Sequence, residues 1–150
     1  MRFHLVDRID AWAPWESLTA HKATSRSEAY WRGGVHGPEM PVGLLTESLC
    51  QAGNWLLLLS SGYERRGALL KVGSVTAYSR IVPGDELCLR VEMVSLREDS
   101  AVLEGSVTVR DRCVLRASSI ICTILSGELF DDPENTARMG SRMLGGEVLR

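Results

Sequence analysis

The chain has 150 residues, enough for one domain with a sizeable core, and its 45% hydrophobic and 24% charged composition is that of a globular protein. A net charge of −2 with scattered charges offers no basic field for nucleic acid or for an anionic membrane surface. The longest apolar run, residues 55–59, is far too short to span a bilayer.

Residues 3–12 read as a strand with broken alternation, and the charges inside this stretch do not fit a signal peptide. Pro14 marks a turn, and residues 17–24 alternate weakly as the second arm of a hairpin. Residues 25–41 hold Gly33, Gly34, Gly37, Pro38 and Pro41, a set through which no helix runs, and are expected to be irregular.

From Val42 the pattern changes. Leu44, Leu45, Leu49, Cys50, Ala52 and residues 55–59 predict a helix that is apolar almost all round. Pro41 suits its start and Gly62 its end. A helix with so little polar surface is expected inside something else. Four strand-like runs follow, at 68–82, 86–96, 101–110 and 113–125, with separators short enough to imply a four-strand antiparallel meander. The expected architecture is α+β, a long central helix wrapped by a curved antiparallel sheet of five or six strands over residues 1–127. Residues 128–150 form a polar tail, expected to be a short helix or disordered. Open sheet edges favour pairing with a second copy.

Glu47, Gln51 and Asn54 interrupt the apolar helix at i, i+4 and i+7, on one face. Gln51 is placed to bond Glu47 and fix its orientation. Burial makes a carboxyl group a better general acid or base near neutral pH. The same stripe also fits a solvent-facing or subunit-facing edge. At the helix start, Val42, Gly43 and Leu44 carry N–H groups without intrahelical partners, which suits them to polarise a carbonyl oxygen; taken alone, they fit an ordinary helix entry after proline better. His4 and His21 fall in the first two strands, away from any motif, and read as ordinary strand residues. Three dispersed histidines and four separated cysteines give no metal-ligand spacing, so no metal is expected. Cys50, Cys88, Cys113 and Cys122 read as reduced core residues of a cytoplasmic protein. Tyr78 and Arg80 suit a tunnel lining, a carrier contact or simply a half-exposed strand face.

Three segments together resemble the FabZ/FabA-type 3-hydroxyacyl-ACP dehydratases. They are Leu5-Val6-Asp7-Arg8-Ile9 with Trp12, Pro14 and Ser17; Pro38-Glu39-Met40-Pro41 with Leu44, Glu47 and Gln51-Ala52; and Val72-Gly73-Ser74-Val75 through Arg80-Ile81-Val82-Pro83-Gly84-Asp85-Glu86-Leu87. The resemblance implies a hotdog fold. It implies a dimer that takes water from a 3-hydroxyacyl thioester on acyl carrier protein, without a cofactor. In that family a histidine and a carboxylate from opposite subunits face each other. Glu47 matches the carboxylate, and Gln51 its supporting amide. Gly33 holds the histidine's place, and His36 lies three residues later. Three readings stay open: His36 serves as the histidine, a related hotdog partner supplies it in a composite heterodimer of fatty-acid, polyketide or polyene type, or the chain only binds or stabilises acyl-ACP. A hotdog thioesterase with Glu47 activating water is a further alternative.

Overall fold

A computed structural model describes residues 4–129 and 131–145. The chain begins with a hairpin, β1 (Arg8–Ala13) and β2 (Ser17–Ala23). Asp10 is an extra residue in β1, because Ile9 pairs with Ala20 and Ala11 with Thr19. This bulge is the physical source of the broken alternation in the sequence.

The 25–41 stretch is less irregular than expected. It contains a small hairpin of its own, β3 (Arg32–Gly34) and β4 (Gly37–Glu39), joined by Val35 and His36. Gly37 takes φ +104°, a conformation that side-chain-bearing residues rarely adopt.

Helix α1 (Val42–Ser60) follows directly, with Pro41 before its first residue and Gly62 at φ +63° beyond its end. Leu49, Ala52, Leu56 and Leu57 are completely buried. Each fully buried leucine contributes about 1.5–3 kcal/mol. The partners are the inward residues of one six-stranded antiparallel sheet, among them Leu18, Ala20, Leu87, Leu89, Val91, Leu103 and Leu115. The remaining strands are β5 (Arg65–Ala77), β6 (Glu86–Leu96), β7 (Ser100–Val109) and β8 (Arg112–Ser126). A long helix is thus wrapped by an antiparallel sheet, the hotdog arrangement.

The strand order is β1-β2-β6-β7-β8-β5, which corrects the expected four-strand meander. Only β6, β7 and β8 form one. Strand β5 pairs with β8 at the far edge, and β6 pairs with β2. The Pro83-Gly84-Asp85 signal does mark a turn, but the chain crosses before it. Met40 N–H donates to the Ile81 carbonyl at 3.0 Å, and Ile81 is fully buried beside the start of α1. Thr24 then holds the turn, donating from Oγ1 to Asp85 O at 2.7 Å and accepting from Gly84 N–H at 3.1 Å. A turn signal fixes where a chain bends, not which strand it meets next.

The two outer strands differ. Beside β1, Asp10 pairs with Arg8 (2.6 Å) and with His21, so charge and bulge blunt that edge. Strand β5 leaves Leu69 at 48% and Leu70 at 66% exposure. After β8 the chain makes one 3₁₀ turn (Gly127–Leu129) and helix α2 (Pro133–Met143). Asp132 accepts from Glu134 N–H at the start of α2, and Met143 is buried near its end.

Candidate active site

The polar stripe of α1 ties the fold together as well as facing outward. Gln51 Nε2 donates to Glu47 Oε1 at 3.2 Å, as the spacing predicts. Gln51 Oε1 accepts the N–H of buried Leu5 at 2.8 Å. Asn54 Oδ1 accepts the N–H of Gly67 at 2.8 Å, next to the start of β5. Glu47 itself is exposed in the single chain, so its own fold does not supply the desolvation expected of an apolar helix.

Glu47, Gln51 and Asn54 face a cavity of about 340 Å³. Trp55 and Leu58 line it from further along α1, His4 from the N-terminal stretch, Arg66 from β5, and Asn135, Thr136 and Met139 from α2. Arg66 donates to Asp131 at 3.0 Å at its rim. The contributions of His4, Arg66 and α2 were not read from the sequence. His4 is not in a strand; it enters this cavity because Leu5, the next residue, is anchored on Gln51. The α2 residues carry no motif, and only the folded chain brings them over α1. His21 lies in β2 with Asp10 as its partner.

The other sequence candidates lie elsewhere. His36 is exposed in the β3–β4 turn and is not among the residues lining the Glu47 cavity. Gly33 lies in β3, and a Cβ built on it meets nothing within 4 Å. At the helix start, Leu44 N–H donates to Pro41 O at 3.0 Å. Val42 and Gly43 therefore supply the N–H groups that have no intrahelical acceptor. A Cβ on Gly43 also meets nothing within 4 Å, so approach there is open. A second cavity of about 310 Å³ lies beside this start, lined by Pro41, Val42, Leu45, Tyr78, Arg80 and neighbours.

All four cysteines are free. Burial pushes the Cys50 thiol up to about 11, aided by the nearby charge of Glu47, and burial also raises Cys122. Neither is a ready nucleophile. Among the described residues, no group of three or more His, Cys, Asp or Glu side chains is placed to hold a metal ion. Among them, too, no helix is long and apolar enough to cross a membrane.

Residues 1–118 match the family model for the FabA-like domain. The 3-hydroxyacyl-[acyl-carrier-protein] dehydratase FabZ of Levilactobacillus brevis is 33% identical over 114 residues, covering 75% of this chain and 77% of that protein. Among solved structures, a Streptococcus mutans protein bound to acetyl-CoA superposes with a TM-score of 0.63 at 14% identity, over 84% of this chain and 92% of the other. The dehydratase heterocomplex ApeI:P of Xenorhabdus doucetiae gives a TM-score of 0.56 at 14% identity, over 72% and 88%. At these identities the two structures speak for the fold.

Proposed function

This chain belongs to the FabA-like domain family, and on that premise we propose that it is a subunit of a 3-hydroxyacyl-ACP dehydratase, converting a 3-hydroxyacyl thioester to a 2-enoyl thioester. The observation that carries the proposal is Glu47, held by Gln51 at the wall of a cavity that opens on α1. Glu47 protonates the departing C3 hydroxyl as general acid. The Val42 and Gly43 N–H groups, at the positive end of the α1 dipole, polarise the thioester carbonyl and so acidify the α-proton. Leu44 contributes its side chain rather than its N–H, which is engaged. No cofactor enters this chemistry.

A base must take the α-proton, and the position that matches the family histidine is Gly33. We assign the base to a histidine-bearing hotdog partner, in a composite site where this chain supplies Glu47. The exposed β5 edge at Leu69 and Leu70 supports pairing with a second subunit. The ApeI:P neighbour is itself a dehydratase heterocomplex, which supports a divided arrangement. A partner would also cover Glu47 and supply the desolvation this chain lacks alone. The glycine at position 33 favours one second reading, a subunit that binds or stabilises acyl-ACP without turnover.

The test is dehydration of a 3-hydroxyacyl-ACP by the purified chain, read as mass loss of water, with and without a histidine-bearing related subunit. Turnover only with the partner is the expected result. Turnover by the chain alone assigns the base to this chain, with His36 the first to substitute. Binding without turnover in either mixture moves the assignment to an acyl-ACP-binding subunit. Release of free thiol identifies a thioesterase.

A further inference from the structure

We propose that the space between α1 and α2 is an acyl subsite for chains that carry hydroxyl or carbonyl oxygens beyond C3, rather than for plain alkyl chains. The inference rests on the dehydratase reading for its substrate and goes beyond it in naming the acyl class.

Continuity comes first. Glu47 and Asn54 line the same cavity, seven residues apart on α1, which is about 10 Å along the helix at 1.5 Å per residue. A substrate with its C3 hydroxyl at Glu47 thus extends several chain atoms toward Asn54 and the underside of α2. The volume of about 340 Å³ lies in the range of ligand pockets.

A route into the interior between α1 and the sheet is closed within this chain. Between α1 and strands β5, β7 and β8 the apolar space is about 30 Å³, room for roughly one water-sized group. A Cβ on Gly67 there comes within 2.8 Å of Leu57 Cδ1 and 3.3 Å of Cys122 Sγ. An alkyl chain has no way into that interior without displacing core side chains.

The lining then sets the chemistry. Asn54 Oδ1 is committed to Gly67 N–H, which leaves its amide N–H groups to donate into the cavity. Thr136 Oγ1 donates to Asp132 O and keeps its lone pairs as acceptors. Asn135 adds an exposed amide with a donor and an acceptor. At the rim, the Arg66–Asp131 pair is only 17% and 20% exposed. A plain alkyl chain laid here would strip water from Asn54, Asn135 and Thr136 and return no hydrogen bond, which costs affinity at each of them. An oxygenated chain replaces the lost water.

Helix α2 is held firmly enough to form a wall. Gly140 packs directly on the Tyr63 ring, where any Cβ would overlap the phenol. Met143 is buried in the core, and Asp132 and Pro133 shape the first turn.

The experiment measures binding, so it does not depend on turnover. Two unreactive pantetheine amides of equal length are titrated calorimetrically into the full chain in its native oligomer. One bears a plain 3-hydroxyalkyl group and the other has oxygens at C5 and C7. The oxygenated analogue is expected to bind about 10-fold tighter or better. Asn135→Leu, a substitution at an exposed helix position, is expected to erase most of that preference, and Asn54→Leu to do so at some cost in stability. Equal binding of the two analogues overturns the subsite, as does tighter binding of the alkyl analogue, absence of binding by both, or a preference unchanged in Asn135→Leu. A preserved preference in a chain that never dehydrates any substrate sinks the dehydratase reading and leaves the subsite standing.

Discussion

Gln51 stands one helical turn beyond Glu47 and donates to its carboxylate from Nε2 at 3.2 Å, while its Oε1 takes the N–H of Leu5 at 2.8 Å. One amide therefore orients the acid and anchors the N-terminal stretch. The two duties separate by substitution. Glu47→Gln is expected to lower kcat about 10²–10⁴-fold, the usual worth of a general acid, with little change in melting temperature because Glu47 is exposed. Gln51→Ala is expected to lower activity less and stability more. It leaves the N–H of Leu5, a residue 1% exposed, without its acceptor, at about 1–3 kcal/mol. Paired turnover and thermal-melt measurements check both. Equal loss of stability in the two variants would contradict the division of labour.

Gly33→His tests the missing base directly. The built Cβ at Gly33 meets nothing within 4 Å, and the backbone there is outside the left-handed region. The variant is expected to fold with stability within about 0.5 kcal/mol of the parent, as surface substitutions do. In a dimer of this chain it places a histidine at the position to which the family resemblance assigns one. Turnover without any partner is then expected to rise at least about 100-fold over the parent chain. A well-folded dimeric Gly33→His that stays inert would show that Glu47 does not work with a histidine from that position.

The residues that were legible in the sequence are those whose meaning is local. The α1 span and the stripe of Glu47, Gln51 and Asn54 follow from 3.6-residue periodicity, and the Glu47–Gln51 bond follows from i, i+4 spacing. What was not legible depends on distant contacts. Nothing near Pro83 says that β5 has already crossed to pair with β8. His4 looks like any strand residue until Leu5 is seen hanging from Gln51. Asn135 and Thr136 lie in a polar tail without motif, and their place over α1 depends on Tyr63 meeting Gly140 and on burial of Met143. The hairpin within 25–41 was hidden because its glycines and prolines, which exclude helix, also suit a short hairpin with a Gly37 left-handed turn.

Leu70 is the extra residue of a bulge in β5, since Leu69 pairs with Cys122 and Lys71 with Ile121. It is 66% exposed on the outer edge of the sheet, away from the Arg66–Asp131 pair at the start of the strand. Leu70→Asp is expected to convert a dimer to monomer, read by light scattering on a sizing column. The monomer should still fold, with its melting temperature lowered by the lost association rather than by core damage, because the side chain contributes little to the core. Activity should fall with the dimer, since a composite site needs both subunits. A Leu70→Asp variant that remains dimeric would move the interface away from β5.

Cys50 gives a chemical report on the same face of the molecule. Burial, and then the charge of Glu47, push its thiol from 9.0 up to about 11. At pH 8 its thiolate fraction is therefore about 100-fold below that of an unperturbed thiol, and alkylation should be slower to match. The rate should climb only as pH passes 10, followed by iodoacetamide labelling with peptide mass mapping. The sign for stability follows from the same shift. Between about 9 and 11 the unfolded thiol has lost its proton while the folded one keeps it, so the fold loses stability as pH rises through that window. Glu47→Gln removes the second cause and should bring the Cys50 rise to lower pH. If Cys50 instead reacts at pH 8 like an exposed thiol, and Glu47→Gln changes nothing, then Cys50 is neither buried nor close to the Glu47 carboxylate.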